Sequence, residues 1–293
     1  MSTQTGHEKH TPEQRRAQAE ALHATLIDQV QQLADSDRWQ QFLSFARSFH
    51  TYSLNNLLLI LTQKPDATMV AGYRQWQTKG RQVRTGETGI KIFGYSQKKT
   101  TSTDEDTTNE TKERVVRYFP VLSVFDISQT DPLDGTTPTP ENPVQRLTGG
   151  SDHNLLEPLT SHLGATGWTL TREPLAQANG YTDPGRRTVV LGNELTPEQE
   201  GKTLLHETAH IHLHHIDDLN QYREHRGRME VEAESVAYVV AGLAGLDTSS
   251  YSIGYITGWA GEDLDLIRET AARVLRVAHT IAEIASPGDD EKP

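Results

Sequence analysis

Residues 196–210 read Thr-Pro-Glu-Gln-Glu-Gly-Lys-Thr-Leu-Leu-His-Glu-Thr-Ala-His. Thr196 is a helix-capping residue, proline suits the first helical position, and Gln199 completes the start signal. In the helix so opened, His206 and His210 lie four residues apart and therefore on one face, with Glu207 beside them. Two imidazoles at that spacing can bind one Zn2+, which favours neutral ring nitrogens and leaves one position to water in a catalytic site. The neighbouring carboxylate of Glu207 is then the candidate general base, taking the proton of that water as it attacks a carbonyl. A surface helix with incidental histidines is the alternative, and His212, His214 and His215 just downstream lend it weight.

A third ligand is sought downstream, between Met229 and Val240, where Glu230, Glu232 and Glu234 alternate. At 100° per residue, Met229, Ala233, Val236 and Val240 form the core stripe of a helix, with Glu230 and Glu234 on a neighbouring face. Glu232 points roughly 200° away from Glu230, so the two cannot serve one ion together. Glu230 is chosen as ligand, and Glu234, one turn on, as the acceptor for a ligand histidine's second N–H. A solvated glutamate face is the competing account. Tyr181, in Asn179-Gly180-Tyr181-Thr182, is a candidate oxyanion donor, although loop tyrosines more often serve packing.

Upstream, Thr11-Pro12-Glu13-Gln14 announces a first helix with Leu22, Leu26, Val30 and Leu33 on its buried stripe. A second helix is expected from near Arg38 to His50 and a third through Asn55 and Asn56 to Leu61. Past Pro65 the pattern changes: a short strand or turn at 68–73, a short helix at 74–79, and strand-like Ile90 to Phe93. Lys98 to Lys112 reads as a flexible hairpin tip, with Val115 to Phe125 pairing back. Residues 131–149 read as a linker, since Asp131 to Asn142 is rich in proline and threonine. A second domain, 150–286, follows with a helix near 154–163 and strands at 168–170 and 188–191. The expected class is α+β, in two domains.

The 293 residues contain no cysteine, which excludes disulfide frameworks, cysteine–zinc sites, iron–sulfur clusters and cysteine nucleophiles. No apolar run reaches the roughly 18–20 residues of a membrane-spanning helix, and the polar Met1 to His10 lacks a signal-peptide core. A cytoplasmic protein without a membrane partner is the expectation. The net charge of −12 is uneven: residues 1–130 carry 16 basic against 14 acidic side chains, residues 131–293 only 12 against 26. Lys64 to Lys99 holds eight basic and two acidic residues, a field suited to a polyanion.

Several words occur in the order found in a known family. Tyr52 to Asn56, Pro65-Asp66-Ala67-Thr68, Val70 to Gln77, Gly80 to Ile90 and Val124 to Thr130 closely resemble the N-terminal domain of ArdC-type antirestriction proteins, over roughly residues 11–130. The second half is similar to the ImmA/IrrE-type zinc metallopeptidase domain. His206 to His210 fit its His-Glu-x-x-His, and Glu230 and Ala233 its downstream Glu-x-x-Ala. The resemblance implies single-stranded DNA binding at 11–130, a zincin-like mainly helical fold with a small sheet at 150–286, and protection of incoming mobile DNA from restriction. In zincin-type folds an edge strand ahead of the metal helix pairs with a peptide, a place the strand Thr188 to Leu191 can fill.

Single-strand binding calls for cations along a groove and aromatic faces for bases. Arg74, Lys79, Arg81, Arg84 and Lys91 are the candidate phosphate contacts, Tyr52, Tyr73 and Trp76 the candidate platforms, and Asn55 and Asn56 the candidate hydrogen-bonding groups. Tyr73 and Trp76 also suit a core. Three functions compete. The first is a DNA-binding protein carrying an active zinc metalloendopeptidase. The second is a non-catalytic binding protein whose zinc is structural or vestigial. The third is a regulatory protease that cleaves a repressor-like protein. The expectation is the first, with the protein substrate unnamed.

Overall fold

The computed structural model describes residues 11–49, 51–102, 112–133, 155–176, 178–246 and 263–285. The chain divides into two compact units, one of residues 1–28 and 58–139 and one of residues 29–57 and 140–293. Residues 103–111 of the expected hairpin tip and most of the expected linker fall outside the described residues, as does the start of the second domain at Gly150, while residues 98–102 and Lys112 at the ends of that tip are strand.

The first unit is built on a three-stranded antiparallel sheet in the order β1 (Val70–Gly72), β6 (Val121–Asp126), β3 (Ile90–Phe93). Helix α1 (Pro12–Gln32) enters it through the expected capping pair: Thr11 N–H donates to Gln14 Oε1 at 2.8 Å and Gln14 N–H to Thr11 Oγ1 at 3.2 Å. Helix α4 (Tyr73–Thr78) places Trp76 against Ala71 and Val83, with Met69, Phe125 and Ile127 closing the cluster. The strand β2 (Arg81–Val83) pairs with β7 (Thr130–Pro132), and β4 (Ser96–Ser102) with β5 (Lys112–Tyr118). Asp126 closes β6: its carboxylate accepts from the backbone N–H of Thr68, Met69 and Ser128 at 2.8, 3.0 and 2.9 Å.

The second unit combines a small sheet with a helical layer. Strand β10 (Thr188–Gly192) is central, parallel to β8 (Thr169–Glu173) and antiparallel to β9 (Gly180–Asp183). The strand expected at the edge, Thr188 to Leu191, is thus flanked on both sides; its unbroken apolar run, Val189 to Leu191, is the mark of a fully buried strand. The sheet's two edges are β8 and β9, and β9 is the edge that packs beside α6. The helices are α5 (Leu156–Ala165), α6 (Pro197–His212), α7 (Leu219–Glu224), α8 (Arg226–Leu243) and α9 (Leu264–Ala285). The helix α2 (Ser36–Phe49) packs in the same unit, on α8. There Trp39 Nε1–H donates to Ser235 Oγ at 2.9 Å and Arg47 to the Gly242 carbonyl at 3.1 Å. Helix α3 (Leu54–Gln63) begins in this unit and ends in the other. Among the described residues, no helix is long and apolar enough to cross a membrane.

Candidate metal centre

Helix α6 starts where its sequence indicates: Thr196 Oγ1 accepts from Gln199 N–H at 3.3 Å, with proline in the first turn. Its inner face then carries His206 and His210, and α8 brings Glu230 across to them. The His206 and His210 Nε2 atoms lie 3.1 Å apart, and Glu230 Oε2 sits 3.5 Å from the first and 3.7 Å from the second. Ligand atoms on a tetrahedral zinc with bonds of about 2.0–2.2 Å stand about 3.3–3.6 Å apart. The triangle is therefore of the size one divalent cation requires, and its two imidazoles and one carboxylate are the donor types of a catalytic site with an open fourth position.

Each corner is held from behind. Glu234 Oε2 lies 3.1 Å from His206 Nδ1, one helical turn on from Glu230. The Tyr222 hydroxyl of α7 donates to Glu230 Oε1 at 2.5 Å, leaving Oε2 as the oxygen turned to the histidines. His210 Nδ1 faces His215 Nδ1 at 3.0 Å, and His215 Nε2 faces Glu232 Oε2 at 2.8 Å. Glu232 thus stands away from the triangle, as the 200° separation demands, but in a fully buried position with Thr270 and Arg273 of α9 as further donors. Glu207 is buried, and the Thr182 hydroxyl of β9 donates to its Oε2 at 2.7 Å. Tyr181, one residue earlier, is 41 % exposed on the edge strand.

Electrostatics follow the same contacts. Burial alone would raise the Glu230 carboxyl, but hydrogen bonds with His206, His210 and Tyr222 hold it far below the usual carboxylate range. Burial would lower His206, yet its bonds to Glu230 and Glu234 push it up to about 10. A proton and a metal ion would compete for the same lone pair between these groups. Burial together with the facing Glu230 raises the Tyr222 phenol. Burial outweighs Glu232 at His215 and lowers it, so a neutral His215 faces an ionised Glu232. Beside the triangle opens a cleft of about 420 Å³ lined by Asn179, Gly180, Gln199, Lys202, Thr203, His206, Glu207 and Glu234. Its wall is formed by α6, by the start of the edge strand β9 and by Glu234 of α8.

Tyr222, Thr182 and His215 were not among the residues the sequence singled out for this site, and Glu232 was weighed there only as a ligand and set aside. His215 carried a signal as one of a run of histidines, and that run read equally as surface.

The candidate nucleic-acid residues are less uniform. In the first unit, Tyr73 is 46 % exposed and accepts from Gln82, and Arg74 on the same short helix and Lys79 at its C-cap are exposed. Two candidates are corrected. Trp76 is fully buried with its Nε1–H bonded to the Phe125 carbonyl at 2.8 Å, so it has no face to offer a base. Arg81 is buried and donates to the Thr130 hydroxyl at 2.7 Å and carbonyl at 3.0 Å, which ties it to the β2–β7 pair. Arg84 is exposed but engaged by Glu87 at 2.7 Å and the Ser128 carbonyl at 2.6 Å, and half-buried Lys91 donates to Ser123 at 2.6 Å. Tyr52, Asn55 and Asn56 are half-buried and pack with residues 29–57 in the second unit, Tyr52 edge-on to Phe49 at 6.0 Å. Among the described residues of the first unit the most exposed aromatic faces are Tyr95 and Phe119, with ring centroids 5.9 Å apart; neither was anticipated, Phe119 lying in a segment read as strand and Tyr95 in the unassigned stretch between Phe93 and Lys98.

Comparison with known proteins places both halves. Residues 16–125 match the family model of the N-terminal domain of anti-restriction factor ArdC, and residues 164–241 match that of the IrrE N-terminal-like domain. An uncharacterised protein of Bacillus anthracis is 26 % identical over 92 % of this chain and 51 % of its own length. The radiation response metalloprotease IrrE of Deinococcus deserti is 33 % identical over 32 % of this chain and 33 % of its own. The chain thus spans about half, or less, of the curated relatives it matches. The crystal structure of the antirestriction protein ArdC from plasmid R388, metal-free, aligns over 81 % of this chain and 86 % of its own at 20 % identity, with a TM-score of 0.49. Its Mn(II)-bound form aligns over the same shares with a TM-score of 0.45.

Proposed function

Given that the chain belongs to the ArdC type, an ArdC N-terminal domain joined to an IrrE-like domain, we propose that it binds single-stranded DNA through the first and hydrolyses peptide bonds at a zinc centre in the second. On this reading residues 11–130 and 150–286 carry the two activities, and the protein protects incoming mobile DNA. One observation carries the hydrolase half: two imidazole nitrogens and one carboxylate oxygen converge at tetrahedral ligand spacing, with a second carboxylate, Glu207, on the adjoining turn.

When bound, Zn2+ would polarise a water molecule and the attacked carbonyl. The chain's own groups do the rest. His206, His210 and Glu230 hold the ion, and Glu234 orients His206 from behind. Glu207, with one oxygen fixed by Thr182, keeps the other for the proton that leaves the water and returns it to the departing amine. The edge strand β9 offers backbone groups to an extended peptide lying along the cleft. For DNA, exposed Arg74 and Lys79 supply phosphate contacts, and Tyr73, Tyr95 and Phe119 supply ring faces.

Elemental analysis of protein purified without chelator is expected to find about one zinc per chain. With a casein or peptide-library substrate, Glu207→Gln is expected to retain that zinc and lose hydrolysis by at least about a hundredfold, the lower end of general acid–base contributions. Retained hydrolysis would remove Glu207 from the mechanism, and no hydrolysis by the parent would leave a metal site without peptidase chemistry. For the other half, gel-shift titration should show tighter binding of single-stranded than double-stranded oligonucleotides, weakening with salt; equal or salt-independent binding would overturn it.

A further inference from the structure

Behind His210 the metal centre continues inward through two buried groups that its chemistry has not yet used. Helix α6 ends in a Schellman turn: His214 N–H donates to the Ile211 carbonyl at 3.1 Å and His215 N–H to the His210 carbonyl at 3.1 Å, with His214 left-handed at φ 61°. In such turns the residue after the left-handed one folds back onto the last helical turn, usually in apolar contact. Here the contact is between two imidazoles, His215 Nδ1 against His210 Nδ1 at 3.0 Å. His215 Nε2 then meets Glu232 Oε2 at 2.8 Å, and Glu232 Oε1 accepts from the Thr270 hydroxyl at 3.2 Å, with Arg273 3.4 Å from both oxygens.

We propose that His215 and Glu232 are positioning residues that lock His210 in the tautomer a metal ligand needs and tie it to helix α9. The inference rests on the metal-centre reading above. The direction of every bond follows from it. An imidazole that presents the Nε2 lone pair to an ion carries its single proton on Nδ1. That N–H points at His215 Nδ1, which must therefore be the acceptor, so the proton of His215 sits on Nε2. The carboxylate of Glu232 only accepts. The chain of bonds thus runs one way, from His210 through His215 to Glu232, with no member left unmatched. A purely structural role does not require this arrangement, because well-packed apolar residues commonly serve as well as a buried charge with its partners. A carboxylate relayed through a second histidine keeps Glu232 wholly out of solvent and still draws charge toward the ligand ring.

The test uses the full chain, with Zn2+ as the probe. Competition against a chromophoric chelator measures its affinity in the parent, Glu232→Gln and Thr270→Val, and melting of the zinc-free forms monitors the fold. Nitrogen-15 NMR of the histidine rings reads their tautomers in the zinc-loaded parent. We expect the zinc dissociation constant to rise about ten- to hundredfold in Glu232→Gln, the range seen when such outer partners are removed, and to a smaller extent in Thr270→Val. The spectra should show His210 protonated on Nδ1 and His215 on Nε2. Unchanged zinc affinity in both folded variants, or a proton on His215 Nδ1, overturns the relay while leaving the metal centre standing. If either variant fails to fold, the parent's tautomers decide alone. If the parent binds no divalent ion, the metal-centre reading itself has failed.

Discussion

A buried carboxylate depends on the donors around it, and Asp126 is an instance outside the metal centre. Burial raises its pKa, but hydrogen bonds from Ser128, Thr68 and Met69 more than reverse this and leave it below the ordinary value. Because the folded pKa is depressed, its contribution to stability is complete above the unfolded value of about 3.9 and is lost as the pH falls through the folded one. Asp126→Ala strands three backbone N–H groups and is expected to cost about 1–3 kcal/mol in denaturant titration at pH 7. The variant should also lack the part of the parent's acid sensitivity that sets in below about pH 4. Equal acid profiles would show that Asp126 is not the titrating group. At this scale the three glutamates of α8 were legible, because 100° per residue separates Glu230 and Glu234 from Glu232. His215 was not, because its partnership with His210 depends on a turn that periodicity does not describe.

Among the elements, helices announced themselves well: the capping signals at Thr11 and Thr196 mark real starts, and Ile90 to Phe93 is the strand expected. The edge strand was assigned to the wrong segment. Val189 to Leu191 carries the stronger apolar run, while β9, Gly-Tyr-Thr-Asp, has a composition that reads as loop and becomes a strand only by pairing with β10. The end of α6 is the element with the clearest local tension. His214 holds a left-handed backbone with no glycine to ease it, its ring exposed and paired to Asp217 at 3.0 Å. His214→Gly is expected to raise stability by up to about 1 kcal/mol in thermal or denaturant unfolding, since strain relief outweighs the added freedom of the unfolded chain. Zinc affinity should not fall. A clear loss of stability would mean that the His214–Asp217 pair contributes more than the backbone strain costs.

Over the whole molecule, family segments and packing units do not coincide. The first family segment runs from 16 to 125, yet residues 29–57 within it pack in the second unit. Trp39, Phe42, Leu43 and Ala46 of α2 are completely buried there. A fragment starting at residue 150 therefore leaves uncovered the face of α8 that holds Ser235 and Gly242. It should melt well below the full chain or remain insoluble, and bind Zn2+ more weakly. Supplying residues 29–57 in the same chain should restore both; full stability of the short fragment would make α2 dispensable.

That borrowed helix bears on how such proteins recombine. A chimaera that takes its first 130 residues from a distant homologue acquires, along with a new N-terminal domain, a foreign plug for the scaffold beneath its candidate metal centre. Exchange between lineages should then succeed only where the indole at position 39 and the hydroxyl at position 235 travel together.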